Sequence, residues 1–416
     1  MSDTQFMAVP FARPDHSYLG ELAEDLGYTH FGVGEGPLVF GDPYVTLSQV
    51  AERTNDIQLG PMVTNPVTRT PVQTANALAT LNKISPGRVF CGLGTGNNAL
   101  RSQGLRPAYM REYEQAIDVI QGLTAGERVT YEFEGTQYEE EFLNEHGLFY
   151  NPDERVPVYA ATGGPKSIEI AAKHADVVMH AFGGNSPELL KLIREMIDES
   201  AREAGRDPDE IELWSWIWFY QTRPGEGTEA AIKNGFGTGP INSAITEAPL
   251  MQMHSDRFDD ALIEDVVAAR DALVDDGGND EPEPKSAHLD AWRGYGKGYQ
   301  AEAEELVPLM TDRLLDALSI YGSPEECLAK TRRMVENGDL DGVYYFDCQD
   351  VLPALAFCDL RRDLAAGVDR TTAVQELISH YVEILKGLNG REQYEDARYA
   401  PNVIEYLVEA LFDPLH

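Results

Sequence analysis

The sequence predicts an α/β protein built on a (β/α)8 TIM barrel, with insertions and a helical C-terminal extension. Three observations predict it. Strand-like and helix-like patterns alternate along most of the chain, as βαβ units and a parallel sheet require. Eight such strands follow in order, the count at which a parallel sheet closes on itself. Several of these strands end in turns of small and neutral polar residues, the end at which such barrels carry their chemistry.

The first strand is the short apolar run Gln5–Val9, followed by helical spacing over Tyr18–Leu26. Thr29–Val33 is the second strand, Pro43–Arg53 its helix, Ile57–Val63 the third strand, and Pro71–Lys83 (PVQTANALATLNK) a helix of good formers. Arg88–Leu93 and Ala108–Leu123 complete the fourth unit. The rhythm then breaks. Arg128–Tyr138 (RVTYEFEGTQY) alternates at period two around a glycine turn, which predicts a hairpin. It resumes with Val156–Ala161, Ser167–His174, Asp176–His180, Pro187–Ala204 and Glu212–Tyr220. The acidic, turn-rich DDGGNDEPEPK reads as an exposed loop. Helices at Thr311–Ser319 and Pro324–Asn337 and a strand at Gly342–Phe346 close the series. The barrel is therefore expected over residues 1–346, with insertions near 127–155 and 270–305, and residues 347–416 as a helical extension packed on it.

With 43% hydrophobic residues the composition is that of a globular chain. Seventy acids against 33 bases leave a formal charge of −37, which argues against nucleic acid or an anionic membrane as partner. The acids are spread along the chain. That reads as adaptation to high salt, with an ordinary acidic protein as the plain alternative. The four cysteines lack metal spacing, so no metal is expected. The N-terminus lacks a signal pattern and no apolar run nears the ~20 residues that span a bilayer, so the expected location is the cytoplasm.

The strand ends hold the candidate site. The third gives Met62-Val63-Thr64-Asn65, the fourth GLGTGNN with Asn97, the fifth Thr162-Gly163-Gly164-Pro165-Lys166, and the sixth closes on His180. Glycines admit a ligand close to the backbone, and Thr and Asn supply neutral donors and acceptors. A tight βα turn is the plain reading of any single one; together they suggest a large, flat, polar-edged ligand. GLGTGNN is no dinucleotide fingerprint, because the third glycine is Asn97. TGGPKS lies between a strand and a helix, so its N–H groups and Lys166 suit a phosphate, although a proline-started helix needs no ligand. The stripe Trp214, Trp216, Trp218 has strand period and reads mainly as core.

These stretches resemble the bacterial luciferase-like superfamily of flavin and deazaflavin oxidoreductases. RTPVQTANALATLNKISPGRVFCGLGTGN carries the likeness most specifically, and LGPMVTNPVTRTP is most similar to the branch that uses the deazaflavin coenzyme F-420, especially methylene-tetrahydromethanopterin reductases. AATGGPKSIEIAAKHADVV resembles the family's phosphate segment, and DALSIYGSPEECLAKTRRMVENGDLDGVYYF its closing helix and eighth strand. The resemblance implies a non-prolyl cis peptide at Met62–Val63 behind the coenzyme ring. Thr64, Asn65 and Asn97 would stand at the ring's edge, and Thr162, Gly163, Gly164 and Lys166 would lie along the phosphate tail; His180 would approach that tail or the substrate pocket, with a structural histidine at a strand end as the equal alternative. It also implies a small-molecule substrate, with a methylene-tetrahydropterin as the leading class, and a homodimer through the second and third helices.

Relatives in this branch often carry Asp-His at the end of strand two; here the pair is Glu35-Gly36. Glu35 keeps the carboxylate and is the candidate proton-handling catalytic residue, or a mere hydrogen-bond partner. Two rival readings stand beside the F-420 oxidoreductase: an FMN-dependent monooxygenase on the same barrel, and a non-catalytic flavin-binding homologue.

Overall fold

A computed structural model describes residues 4–9, 17–25, 27–38, 41–96, 98–101, 103–144, 147–151, 154–180, 186–221, 239–274 and 307–347, with a few positions between 367 and 379. Eight parallel strands form the barrel: β1 (Gln5–Ala8), β2 (His30–Val33), β3 (Gln58–Pro61), β4 (Cys91–Leu93), β7 (Val158–Thr162), β8 (Val177–His180), β9 (Glu212–Gln221) and β11 (Gly342–Asp347). Their order is β3-β2-β1-β11-β9-β8-β7-β4, and bridges Leu59–Val89 and Thr64–Leu93 close the first edge onto the last. Each of the eight expected strands is one of these.

Alternation along the strands sorts the side chains into two layers. Phe31, Val33, Leu59, Cys91, Val158, Val178, Leu213 and Val343 face outward into the core shared with the helices. Met7, Met62, Phe90, Tyr159, Val177, Met179, Trp214 and Tyr344 fill the interior. At its base His30 is 2% exposed and meets Tyr159 Oη at 2.9 Å through Nε2. Phe90 stacks on Tyr159, and Trp214 meets the His30 ring edge-on. The barrel is a packed plug below and can be open only at its mouth.

Local chemistry explains the helix starts. α2 (Pro43–Arg53), α3 (Pro71–Ile84), α7 (Pro187–Glu203) and α11 (Pro324–Gly338) each begin with a proline behind a capping side chain: Asp42, Thr70, Ser186 and Ser323. The S-x-G-R segment before β4 is also structural. Arg88 donates to the carbonyls of Ala51, Thr54 and Ile57 and to Thr54 Oγ1, tying the end of α2 to β3. The other helices are α1 (Tyr18–Asp25), α4 (Asn98–Arg101), α5 (Met110–Thr124), α6 (Pro165–His174), α8 (Gly239–Met253), α9 (Asp260–Val274) and α10 (Asp312–Leu318).

The expected hairpin is β5 (Val129–Phe133) with β6 (Thr136–Glu140), turning through Glu134 and Gly135. Both turn residues have positive φ, the geometry a two-residue hairpin turn needs. The segment after it lies on α3, through Asn76 Nδ2 to Tyr150 Oη at 3.0 Å and Lys83 Nζ to the Gly147 carbonyl at 2.6 Å. Helices α8 and α9, with the short strand β10 (Ser319–Gly322) beside β9, went unread in the sequence. With α10 they enclose a second core around Trp218, Met251, Val266 and Leu314. The insertion expected near 270–305 lies, beyond Val274, outside the described residues, as does nearly all of the expected extension over 347–416. Among the described residues no helix is long and apolar enough to cross a membrane.

Candidate active site

The mouth of the barrel is shaped by close approach of β2, β3 and β4. A Cβ on Gly60 would lie 2.1 Å from the Phe90 carbonyl oxygen, and one on Gly92 2.3 Å from that of Pro61. Only glycine lets these strands come so near. Beyond them the Met62–Val63 peptide is cis. Met62 lies in the interior cluster and Val63 packs against the same cluster, so two successive side chains face the same way where a regular strand would alternate. Around this bulge the lining is small. Among the described residues a Cβ on Gly34 would meet only the Met62 carbonyl, at 3.7 Å, and one on Gly94 would face Val63 and Ala161. The result is a smooth apolar ledge with a side-chain-poor approach.

Thr64 and Asn65, expected at the ring's edge, follow the ledge at the end of β3. Thr64 is 0% exposed, and its backbone binds Gly92 and Gly94 to close the barrel. Asn65, 1% exposed, accepts from the N–H groups of Val67 and Thr68 and donates to Thr68 Oγ1 at 2.8 Å. Its amide is occupied in holding the turn, the ordinary duty of an Asn there.

Thr68 Oγ1 in turn donates to Glu35 Oε1 at 3.3 Å. Glu35 follows Phe31 and Val33 in phase, and its neighbours lie on the α2 side of the strand end: Tyr44, Thr64, Thr68, Arg69 and Asp42. Burial pushes its carboxyl up from the usual range, against the nearby hydroxyls of Thr64 and Thr68 and the charge of Arg69. Arg69 pairs with Asp42 at 2.6 Å and lies 4.6 Å over the Tyr44 ring.

The fifth strand delivers the glycine turn. Gly164 caps α6, and among the described residues nothing lies within 4 Å of a Cβ built on it. The N–H groups of Gly163 and Gly164 are already held by Ser167 Oγ at 3.1 and 3.2 Å. Lys166 is exposed in the first turn of the helix, and Thr162 is buried at the strand end. Thus the turn offers open space, a helix N-terminus and one cation.

His180 lies in phase with Val178 and faces the helix layer. Its Nε2 meets Glu247 Oε1 of α8 at 2.9 Å, with both side chains 0% exposed, and its Nδ1 is 3.4 Å from Thr162 Oγ1. Both ring nitrogens are engaged within the protein, so His180 ties the inserted helix to the barrel and has no ring nitrogen left for a phosphate. Burial raises the Glu247 carboxyl, opposed by His180. Asn97 lies outside the described residues. Trp214 is core as expected, while Trp218 sits in the second core with Nε1 donating to Ser243 Oγ at 2.9 Å.

Sequence reading missed Tyr44 and Glu247. Tyr44 is one residue of the helical run Pro43–Arg53, with no motif around it. Glu247 lies 67 residues from His180, and no local pattern reports such a pair.

Comparison with known proteins adds a lineage to this geometry. The chain is 27% identical over 324 residues to the 5,10-methylenetetrahydromethanopterin reductase of Methanolobus tindarius, covering 77% of this chain and 87% of that one. It is 33% identical over 180 residues to the F-420-dependent glucose-6-phosphate dehydrogenase of Kineococcus radiotolerans, a stretch covering 41% of this chain and 52% of that relative. The structure of the coenzyme F-420 dependent tetrahydromethanopterin reductase from Methanopyrus kandleri superposes with a TM-score of 0.52 at 21% identity, over 82% of this chain and 92% of that one, and supports the barrel fold. The model of the luciferase-like monooxygenase family matches residues 12–340, most of the chain, so the protein belongs to that family.

Proposed function

We propose that the protein is an F-420-dependent oxidoreductase that passes hydride between the deazaflavin and a small organic substrate, with a methylene-tetrahydropterin as the leading class. The observation that carries the reading is the ledge. Met62 and Val63 both pack on the interior cluster where β3 ends, between Gly34 and Gly94, where a side chain would obstruct a flat ring. A tricyclic ring system fits such a wall, and the relatives' dependence on F-420 agrees with it. When bound, the coenzyme supplies the hydride.

This chain's own residues then have separable tasks. Met62 and Val63 support the ring, and Thr64 and Asn65 fix the turn that holds them in place. Gly163, Gly164 and Lys166 receive the phosphate-bearing tail, with Thr162 beneath them; Asn97, expected at the ring's edge, lies outside the described residues. Glu35 is the proton-handling group, a carboxyl that burial raises above its usual range. A cytoplasmic homodimer through α2 and α3, tuned to high salt by its charge of −37, belongs to the same reading.

The test is an anaerobic assay that follows F-420 by absorbance, with methylene-tetrahydropterins and secondary alcohols offered in turn. Turnover without oxygen supports the proposal. Oxygen uptake with reduced FMN, and none with F-420, replaces it by the monooxygenase reading that the family's description favours.

A further inference from the structure

The barrel interior ends at the mouth in a layer of four side chains. Val9, Val63, Ala161 and Trp216 are partly exposed and pack on the buried interior cluster beneath them. Ala161 and Trp216 lie on β7 and β9, and Val9 and Val63 just beyond β1 and β3. These are alternate strands of the ring β3-β2-β1-β11-β9-β8-β7-β4. Layers of four drawn from alternate strands are how such a barrel fills. This layer is the partly exposed one, so it is the floor on which a bound molecule rests. Three of its members are small or aliphatic, and Trp216 is the one large flat group.

Its place opposes the ledge. β9 stands four places from β3 in either direction round the ring, so Trp216 lies across the mouth from Met62 and Val63. The indole is also held in place. It stacks on Tyr344, its register partner on β11, with ring centroids 5.9 Å apart and planes inclined by 20°. On its other side it meets Trp218 at 5.4 Å, and Trp218 is anchored through Nε1 to Ser243 Oγ of α8 at 2.9 Å. A platform fixed in advance gives up little conformational freedom when a ligand settles on it.

We infer that Trp216 is a specificity-determining residue that stacks a flat, uncharged heteroaromatic ring of the substrate, of which a pterin is the type. The inference rests on the reading of the protein as an F-420-dependent oxidoreductase, and it names what the substrate side of that site recognises. An indole face favours a conjugated ring laid over it in offset. The floor adds no charge: none of its four members is ionisable. Of the ionisable side chains on these strands, His30 lies at the base and is held neutral by burial, and Glu212 opens β9 at the same end. His180 faces the helix layer, bound to Glu247. A hexose phosphate would find no counter-charge in this floor, and its desolvated anion would be costly there. A small secondary alcohol would leave most of the indole uncovered.

The test is equilibrium dialysis of the full chain against pterin (2-amino-4-oxopteridine), with glucose 6-phosphate and 2-propanol as competitors, on the wild type, Trp216→Leu and Trp216→Phe. The wild type should retain pterin, and neither competitor should displace it at equal concentration. Retention should weaken about tenfold in Trp216→Leu, and about threefold in Trp216→Phe, which keeps a smaller ring. If Trp216→Leu does not fold, the threefold loss in Trp216→Phe carries the test. Unchanged affinity in the folded variants, no retention by the wild type, or displacement by either competitor overturns the inference. F-420 is titrated separately by fluorescence into the wild type and Trp216→Leu, and should bind both alike because the ledge is untouched. Absence of F-420 binding to the wild type would remove the coenzyme reading, while the pterin dialysis judges Trp216 by itself.

Discussion

His30 should make the protein lose stability as the pH falls through the range just below 6.5, and replacing it should remove that slope. The ring lies at the base of the barrel, 2% exposed, between Phe90, Tyr159 and Trp214. Burial lowers its pKa from 6.5 to about 3. The sign follows from which state takes the proton. Above pH 6.5 the ring is neutral in both states and contributes nothing. Below it the unfolded chain binds a proton that the folded chain refuses, so unfolding is favoured progressively until about pH 3. At pH 5 the difference amounts to about 2 kcal/mol, from roughly one and a half pH units at about 1.4 kcal/mol each. This window lies above most carboxylate titration, which matters in so acidic a chain. The assay is denaturant unfolding at pH 7, 6 and 5 in fixed salt, on the wild type and His30→Gln. The glutamine can still meet Tyr159 Oη, and its overall cost cancels when slopes are compared. The wild type should lose about 2 kcal/mol more than the variant between pH 7 and pH 5. Equal slopes would refute the claim that His30 is held neutral in the fold.

Other consequences follow from named contacts. Gly92→Ala places a Cβ 2.3 Å from the Pro61 carbonyl, so it should displace the ledge and weaken F-420 binding at least about tenfold, read by fluorescence titration. Arg88→Met strips a charged donor from three carbonyls and a hydroxyl and should cost about 2–4 kcal/mol in denaturant unfolding. Glu247→Ala leaves His180 buried without its carboxylate and should destabilise by about 3 kcal/mol, with faster amide exchange along α8; Glu247→Gln should recover much of the loss.

The barrel was legible because its signals are local. Strand and helix periods, and the pairing of a cap with a following proline at Asp42-Pro43, Thr70-Pro71, Ser186-Pro187 and Ser323-Pro324, lie within a few residues of one another. Met62–Val63 was legible in another way, through resemblance alone, since nothing in its residue types announces a cis bond. What the sequence hid is what depends on distant partners. His180 could be read as a ligand or as a structural histidine while α8 was unseen, and Glu247 of α8 is what engages it. Asn65 read as a ring contact, yet its amide is filled by the two N–H groups that follow it in the turn.

The most direct test of the central claim is a parallel titration of the purified protein with F-420 and with FMN in molar salt, followed by absorbance and fluorescence. Saturable binding of F-420 at concentrations where FMN leaves the signal unchanged is the predicted result. Preference for FMN, or binding of neither, would contradict it.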